Sequence, residues 1–245
     1  MPSGKSILLS LKNVYETLAI SVPTVVEGAR GTLSKEGSDA RLEGWASRVI
    51  ANTEMMISVS GREHIQSGRL GQGPNTYLVM SNHQSHYDVA VIYYVFGAKM
   101  RMVAKRELFN VPLFGAAMKA AGFISVDRGN NKSAVQSLEE ARHALESGTP
   151  IWIAPEGTRS PTGELMPFKK GGFVIAVETG TPVLPVSIAG TREVLPAHGR
   201  RSRSGVEVYV TIHPPVDPRR WADKDPKQAR DALLAEVRTA IASGL

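Results

Sequence analysis

A histidine and an aspartate five positions apart are the side chains of this sequence whose types and spacing most clearly suggest chemistry. His83 and Asp88 lie in the segment Asn82-His83-Gln84-Ser85-His86-Tyr87-Asp88, which follows an apolar run. An imidazole titrates near neutrality and can take a proton from a hydroxyl group, while a carboxylate can fix its tautomer. Five residues of a straight helix rotate by roughly 500°, so the two side chains meet only across a bend. We therefore expect His83 in a loop and Asp88 in the first turn of a helix, where its charge suits the helix dipole.

The same segment allows three other interpretations. A histidine and an aspartate at this spacing are most often an ordinary loop histidine and an aspartate at the N-terminus of a helix, without a shared function. A metal site on His83, His86 and Asp88 is a second alternative, although no further cluster of ligands is evident in the sequence. Ser85 could be a nucleophile with His83 as its base, but no Gly-x-Ser-x-Gly elbow surrounds it.

A second segment, Pro155-Glu156-Gly157-Thr158-Arg159, could bind an anion. Gly157 follows a predicted strand and allows backbone N–H groups to approach an oxyanion without a side chain in the way. Arg159 supplies a permanently charged fork that suits phosphate. Glu156 could hold Arg159 in place or accept a hydroxyl group of a substrate. Taken alone, the segment also fits a simple turn with a surface arginine.

Two more cations follow predicted strands and could assist in binding an anion. Arg128 comes after the predicted strand 123–126, and Lys105 ends the strand predicted at 100–104. Each of them alone also fits an ordinary surface residue. Together with His83 and Arg159, they indicate group transfer to or from a phosphorylated substrate.

Composition narrows the class of protein. The 245 residues are 42 % hydrophobic and carry a net charge of +6, so the chain can build a large core and should attract polyanions such as anionic membranes. It has no cysteine, which excludes disulfides, thiolate nucleophiles and cysteine-ligated metals. Aromatic residues make up only 6 % and are not interleaved with basic ones, so we expect no nucleic-acid partner. No apolar run approaches the ~18 residues of a membrane span, and none resembles a signal peptide.

The N-terminal part has the periodicity of two helices. Residues 6–29 and 40–59 carry apolar side chains at helical spacing, and a turn is predicted at 31–38 between them. This pattern predicts a hairpin of two amphipathic helices. Its apolar faces either pack on the main domain or in part enter a membrane interface, with Trp45 as an anchor.

From about residue 76 short apolar runs alternate with helical segments. That alternation predicts an α/β fold with a mixed, mostly parallel sheet flanked by helices. We divide the chain into the helical hairpin, residues 1–60, and the α/β domain, residues 61–245. The predicted strands are 77–80, 100–104, 123–126, 151–154, 182–188 and 206–212.

Four ordered blocks of this sequence resemble the glycerolipid acyltransferase family, and most of all its 1-acyl-sn-glycerol-3-phosphate acyltransferases. The resemblance extends over roughly residues 75–215, and the stretch 103–115 is also similar. The four blocks are Asn82-His83-Gln84-Ser85-His86-Tyr87-Asp88, Gly122-Phe123-Ile124-Ser125-Val126-Asp127-Arg128, Pro155-Glu156-Gly157-Thr158-Arg159-Ser160 and Val183-Leu184-Pro185-Val186.

The resemblance implies a direct acyl transfer. His83, oriented by Asp88, would deprotonate the sn-2 hydroxyl of 1-acyl-sn-glycerol 3-phosphate (lysophosphatidate). The alkoxide would attack the thioester of acyl-CoA or of acyl carrier protein, which gives phosphatidate without a cofactor, a metal or an acyl-enzyme. The residues implied to bind the glycerol phosphate are Glu156, Gly157, Thr158 and Arg159, with help from Arg128 and Lys105.

Two alternatives to this function remain at the level of sequence. The acceptor could be another lysolipid, such as a lyso-ornithine lipid, or the protein could be a non-catalytic lipid-binding member of the same fold. Many members of the family carry transmembrane helices, whereas this sequence predicts none. The resemblance therefore implies a peripheral protein on the cytoplasmic face of the cell membrane, with the N-terminal hairpin as its contact with lipid.

Overall fold

A computed structural model describes residue 4 and residues 6–65, 76–126 and 131–245, without the side chains of residues 131–135. Arg128, one of the predicted anion-binding residues, lies outside the described residues. Seven strands form one sheet: β1 (Met56–Ser60), β2 (Leu78–Ser81), β3 (Arg101–Lys105), β4 (Ile124–Val126), β5 (Ile151–Ile153), β6 (Val183–Ala189) and β7 (Glu207–Ile212).

The strand order is β1-β7-β6-β2-β5-β3-β4. Strands β2 to β6 run parallel to one another, whereas β7 is antiparallel to β6 and parallel to β1. The predicted mixed, mostly parallel sheet is therefore confirmed. Its central strands are buried on both faces, which explains why they appear in the sequence as continuous apolar runs.

Helices cover both faces of this sheet. On one face α2 and α3 pack against residues such as Val79, and on the other α6, α7 and α9 pack against Leu78 and Met80. The helices are α1 (Ile7–Arg30), α2 (Lys35–Thr53), α3 (Tyr87–Phe96), α4 (Arg106–Phe109), α5 (Phe114–Ala120), α6 (Asn131–Glu146), α7 (Gly171–Thr179), α8 (Thr191–Val194) and α9 (Pro226–Ser243), with short 3-10 turns at Arg62–His64 and Pro218–Trp221.

The N-terminal helical hairpin is confirmed, but the prediction of helix through residue 59 is wrong. Helix α2 ends at Thr53, where Glu54 adopts a left-handed conformation with φ of 50°. Residues 56–60 then form β1, an edge strand whose side chains alternate between exposed and half-buried. Because Met56 and Ile57 fit the last turn of a helical pattern as well as the start of a strand, the apolar spacing could not separate the two.

Helix α1 turns its apolar face outward. Its buried side chains are the polar Asn13, Ser21 and Thr24, while Leu8 is 74 % exposed. The other exposed large apolar side chains of α1 are Ile7, Leu11, Val14, Tyr15, Leu18, Val22 and Val26. Packing on the main domain therefore does not account for the apolar face of this helix.

Helix α2 behaves in the opposite way and buries its apolar residues against the α/β core. Leu42, Ala46, Val49 and Ile50 are all buried there. Trp45, predicted as an interfacial anchor, lies half-buried against this core, and its indole N–H donates to Thr17 of α1 over 3.0 Å. In the part of the chain that the structure describes, no helix combines the length and hydropathy required to cross a bilayer.

Candidate active site

The two predicted motifs meet because the strands that precede them are neighbours. Strand β2 pairs with β5 in parallel, with Val79 opposite Trp152. The loop after β2 carries His83, and the loop after β5 carries the segment 155–159. Parallel neighbours deliver their following loops to the same edge of a sheet, which is where α/β proteins place their sites.

His83 and Asp88 form a hydrogen-bonded pair in this loop. The imidazole Nδ1 lies 2.7 Å from Oδ2 of Asp88, whose side chain is fully buried. The same oxygen accepts the backbone N–H groups of Gln84 at 2.7 Å and Ser85 at 2.9 Å. Asp88 is the second residue of α3, so the chain bends between the two side chains in the way their spacing requires. These contacts fix the position of the carboxylate, and the carboxylate in turn fixes the ring.

The orientation of the ring leaves one nitrogen for chemistry. With Nδ1–H donating to a carboxylate, Nε2 is the basic nitrogen. The His83 side chain is 18 % exposed, and its ring makes a T-shaped contact with Trp152 at a centroid distance of 6.1 Å and an interplanar angle of 88°. The indole N–H of Trp152 is itself held by the Ser81 hydroxyl at 3.0 Å. His83 is thus supported on two sides and accessible on a third.

The two other chemical roles considered for this loop, a nucleophilic Ser85 and a metal site, lack the arrangement of residues that each would require. The hydroxyl of Ser85 is buried and donates to the carbonyl of Leu195 at 2.7 Å, so it is held away from nucleophilic chemistry. Among residues 4, 6–65, 76–126 and 131–245, no three His, Cys, Asp or Glu side chains come together as a metal site would require.

A cavity of about 480 Å³ opens in front of His83. Arg159, Gly157 and Thr158 line it, and so does Lys105 at the end of β3. Much of the remaining wall is apolar and is formed by Val89, Met102, Ala104, Leu138, Ala141, Trp152, Ile153 and Ile175. The cavity therefore joins a basic nitrogen, several cations and an apolar surface large enough for part of a lipid chain.

Among the cationic side chains that line the cavity, Arg159 is the one best suited to bind an anion. It is half-buried, and it makes no hydrogen bond or ion pair to another described residue. Burial lowers the pKa of its guanidinium, and the charge of Asp88 partly opposes that shift. Gly157, with φ of 77°, shapes the preceding turn, and its N–H donates to the carbonyl of Ala154 at 2.9 Å. Thr158 is exposed at the rim.

Glu156 joins the two loops instead of reaching into the cavity. Its Oε1 accepts the backbone N–H of His83 at 2.7 Å, and its Oε2 accepts that of Met166 at 2.8 Å. Burial raises the pKa of this carboxyl group, while the two N–H donors act in the opposite direction. Both carboxylate oxygens are therefore engaged in holding the backbone around His83.

His86 also lines the cavity, and both His83 and Arg159 are close enough to influence its pKa. Desolvation in the cleft lowers its pKa from 6.5 to about 4, and the charge of Arg159 adds to that shift, as does His83 whenever it is itself protonated. Its side chain nevertheless keeps an exposed surface, because the cleft itself is open to solvent. The sequence raised this residue only as a metal ligand.

Three supports of the site were not identified from the sequence. The amide of Asn82 bridges to the backbone N–H and C=O of Ile188, both at 2.8 Å, and the N–H of Ser160 donates to the carbonyl of His83 at 2.7 Å. The hydroxyl of Tyr87 accepts from Asn13 of α1 at 2.9 Å and hydrogen-bonds with Ser202 at 2.7 Å. Asn82 stands in the first motif, so its position was a usable signal, whereas the partners of Tyr87 lie far along the chain.

The sequence is similar to those of known acyltransferases. The family model described as Acyltransferase matches residues 56–189, from β1 through β6. A chloroplastic 1-acyl-sn-glycerol-3-phosphate acyltransferase, BAT2 of Brassica napus, is 34 % identical over 76 % of this chain and 50 % of its own length. The 1-acyl-sn-glycerol-3-phosphate acyltransferase alpha of Homo sapiens is 35 % identical over 65 % of this chain and 54 % of its own. The chain thus spans about half the length of these curated relatives.

A solved structure is similar over nearly the full chain. The crystal structure of the 1-acyl-sn-glycerophosphate acyltransferase PlsC from Thermotoga maritima superposes with a TM-score of 0.66 at 27 % identity. The match covers 94 % of this chain and 97 % of that one, so it includes the N-terminal helices as well as the sheet.

Proposed function

The chain belongs to the glycerolipid acyltransferase family, and we propose that it transfers an acyl chain from acyl-CoA or acyl carrier protein to the sn-2 hydroxyl of 1-acyl-sn-glycerol 3-phosphate. The product is phosphatidate, an intermediate of phospholipid biosynthesis. The observation that carries this proposal is that the His83–Asp88 pair opens on the same cavity as Arg159. Relatives named as acyltransferases for this acceptor support it.

His83 acts as the general base. Because Asp88 holds Nδ1–H, Nε2 removes the proton from the acceptor hydroxyl while the oxygen attacks the thioester carbonyl. A C–O bond forms, the C–S bond breaks, and the imidazolium returns its proton to the departing thiolate. Asp88 stabilises the imidazolium between these events. General acid–base catalysis of this kind contributes about 10²- to 10⁴-fold to the rate.

Arg159 binds the phosphate of the acceptor. Its guanidinium lines the cavity and has no described partner to compete with a ligand, and a planar fork suits two phosphate oxygens. Lys105 lines the same cavity and adds charge, while Gly157 and Thr158 shape the rim. Glu156 contributes by positioning the loops and not by contact with the headgroup.

The outward face of α1 seats the protein on a membrane, with its apolar side chains in the interface. Leu8, Leu11, Tyr15, Leu18, Val22 and Val26 recur every three or four residues along that face, and all are exposed. The net charge of +6 favours an anionic leaflet. These features support our proposal of a peripheral enzyme at the cytoplasmic face of the cell membrane, where a lipid acceptor is available.

Vesicle binding tests this seating. Replacing Leu8 and Leu11 together by serine should weaken co-sedimentation with anionic vesicles by at least about tenfold, since burying a leucine contributes roughly 1.5–3 kcal/mol. Met56→Ser is the matched control, because Met56 is 54 % exposed but lies on β1. Equal binding by the double variant and the wild type would show that α1 does not contact the membrane.

Thiol release from palmitoyl-CoA tests the reaction and its acceptor. Release should require lysophosphatidate and should be slow with a lysolipid that lacks a terminal phosphate, such as a lyso-ornithine lipid. Arg159→Gln should raise KM for lysophosphatidate by roughly 10- to 100-fold, as expected for the loss of a charge-assisted hydrogen bond. Faster release with the other lysolipid would indicate a different acceptor, and release without any acceptor would indicate a thioesterase. No release from palmitoyl-CoA or from palmitoyl-acyl carrier protein would favour a non-catalytic lipid-binding protein.

A further inference from the structure

His86 is a cavity residue without a fixed partner. Its side chain lines the same cavity as His83 and Arg159, and it makes no hydrogen bond to another described residue. His83 on the same loop is held by Asp88. An imidazole that faces a ligand site and is not tied to the protein is available to bind what enters that site.

The charges around His86 are mostly positive. Arg159 on the loop after β5 opposes a proton on His86, as His83 does whenever it is itself protonated, whereas Asp88 of α3 favours one. Lys105 and Lys169 line the same cavity and have the same sign as Arg159. Desolvation, together with the charge of Arg159, keeps the imidazole neutral at pH 7 while the cavity holds no anion.

We propose that His86 is a second ligand of the acceptor phosphate and takes up a proton from solvent when that phosphate binds. A phosphate dianion beside Arg159 compensates the positive charges that oppose protonation, so the imidazolium becomes favourable. The imidazolium then donates to a phosphate oxygen through a charge-assisted hydrogen bond. This inference rests on the proposed binding of the acceptor phosphate at Arg159, but it does not require acyl transfer.

The proposal gives His86 a role in selecting the acceptor. A terminal phosphate monoester carries up to two negative charges near pH 7, whereas a phosphodiester carries only one. The monoester therefore compensates the cationic cavity more completely and favours the protonated imidazole. His86 should accordingly favour lysolipids that end in a free phosphate over lysolipids whose phosphate bears a further headgroup.

Calorimetry without an acyl donor measures both parts of the proposal. Binding of a short-chain 1-acyl-sn-glycerol 3-phosphate, kept below its micelle concentration, is titrated at pH 7.5 in two buffers of different ionisation enthalpy, which yields the number of protons taken up. His86→Gln should weaken binding by roughly 10- to 100-fold, as expected for a charge-assisted hydrogen bond. It should also reduce the proton uptake relative to the wild type by most of one proton.

Two further variants sharpen the comparison. His86→Lys brings a permanent charge, so it should bind the ligand more tightly than His86→Gln and yet take up no proton at this position. His143→Gln is the matched control, because His143 is an exposed histidine of α6 that does not line the cavity, and it should behave as the wild type.

The possible results separate this inference from the proposed function. If His86→Gln binds as the wild type does, or binds more weakly with unchanged proton uptake, the coupled protonation of His86 is wrong while the acceptor assignment stands. If the wild type does not bind the phosphorylated lysolipid, the acceptor assignment fails and this inference fails with it.

Discussion

Glu156→Gln should loosen the loop that carries His83. In the native protein each carboxylate oxygen of Glu156 accepts one backbone N–H, from His83 at 2.7 Å and from Met166 at 2.8 Å, and the residue is only 4 % exposed. The amide of glutamine keeps one acceptor oxygen and turns its NH₂ group toward the other N–H. One buried donor then has no acceptor, which costs about 1–3 kcal/mol.

The size of the effect follows from two opposing contributions. The remaining hydrogen bond is no longer made to a charged group, which adds to the cost. In the opposite direction, burial disfavours the charged form of Glu156 and raises its pKa, and the neutral glutamine avoids this desolvation cost. We expect a net loss of about 2 kcal/mol. For a chain of this size that corresponds to a decrease in Tm of about 4–8 °C.

Activity and stability measured together decide how Glu156 acts. Calorimetry should show the lower Tm, and steady-state acyl transfer should show a decrease in kcat larger than any rise in KM for the acceptor, because His83 moves and the phosphate site does not. Glu164→Gln is the matched control, since Glu164 is exposed eight residues along the chain. An unchanged Tm with a large rise in KM would refute the positioning role and make Glu156 a direct ligand of the acceptor.

Three more predictions concern the neighbouring residues. Asp88→Asn should lower kcat by about 10²- to 10⁴-fold, because the amide no longer fixes the tautomer of His83, and steady-state acyl transfer measures it. Tyr87→Phe leaves the buried NH₂ group of Asn13 without its acceptor and should reduce the free energy of unfolding in urea by about 1–3 kcal/mol. His86 has a lower pKa in the native state than in the unfolded chain, where it is near 6.5, so its contribution to stability is complete above pH 6.5 and is lost as the pH falls toward 4. Urea unfolding at pH 7, 5.5 and 4.5 should therefore show a smaller acid destabilisation for His86→Gln than for the wild type.

The sequence predicted the parts of the fold that local patterns determine. Strands β2 and β6 are buried on both faces and appear as apolar runs, and a contact between His83 and Asp88 requires, at their spacing, the bend that the structure contains. The family resemblance supplied the acyl chain and the thioester. No property of the individual residues would have indicated either of them.

The remaining features depend on contacts between distant parts of the chain. Helical spacing identified the apolar face of α1 but not its direction, because that direction depends on Asn13 finding a partner in Tyr87. The role of Glu156 depends on the N–H of Met166 arriving from a separate loop. Strand β1 was taken for helix because its pairing with β7 lies about 150 residues away.

The most direct test of the account is mass spectrometry of the products made by the wild type and by His83→Ala from palmitoyl-CoA and lysophosphatidate. The wild type should form phosphatidate with palmitate at the sn-2 position. The variant should retain its Tm and its binding of lysophosphatidate while forming phosphatidate about 10²- to 10⁴-fold more slowly. Phosphatidate formation by the variant at a rate within about threefold of the wild type, or free palmitate as the main product of the wild type, would contradict the assignment of His83 as the base of an acyl transfer.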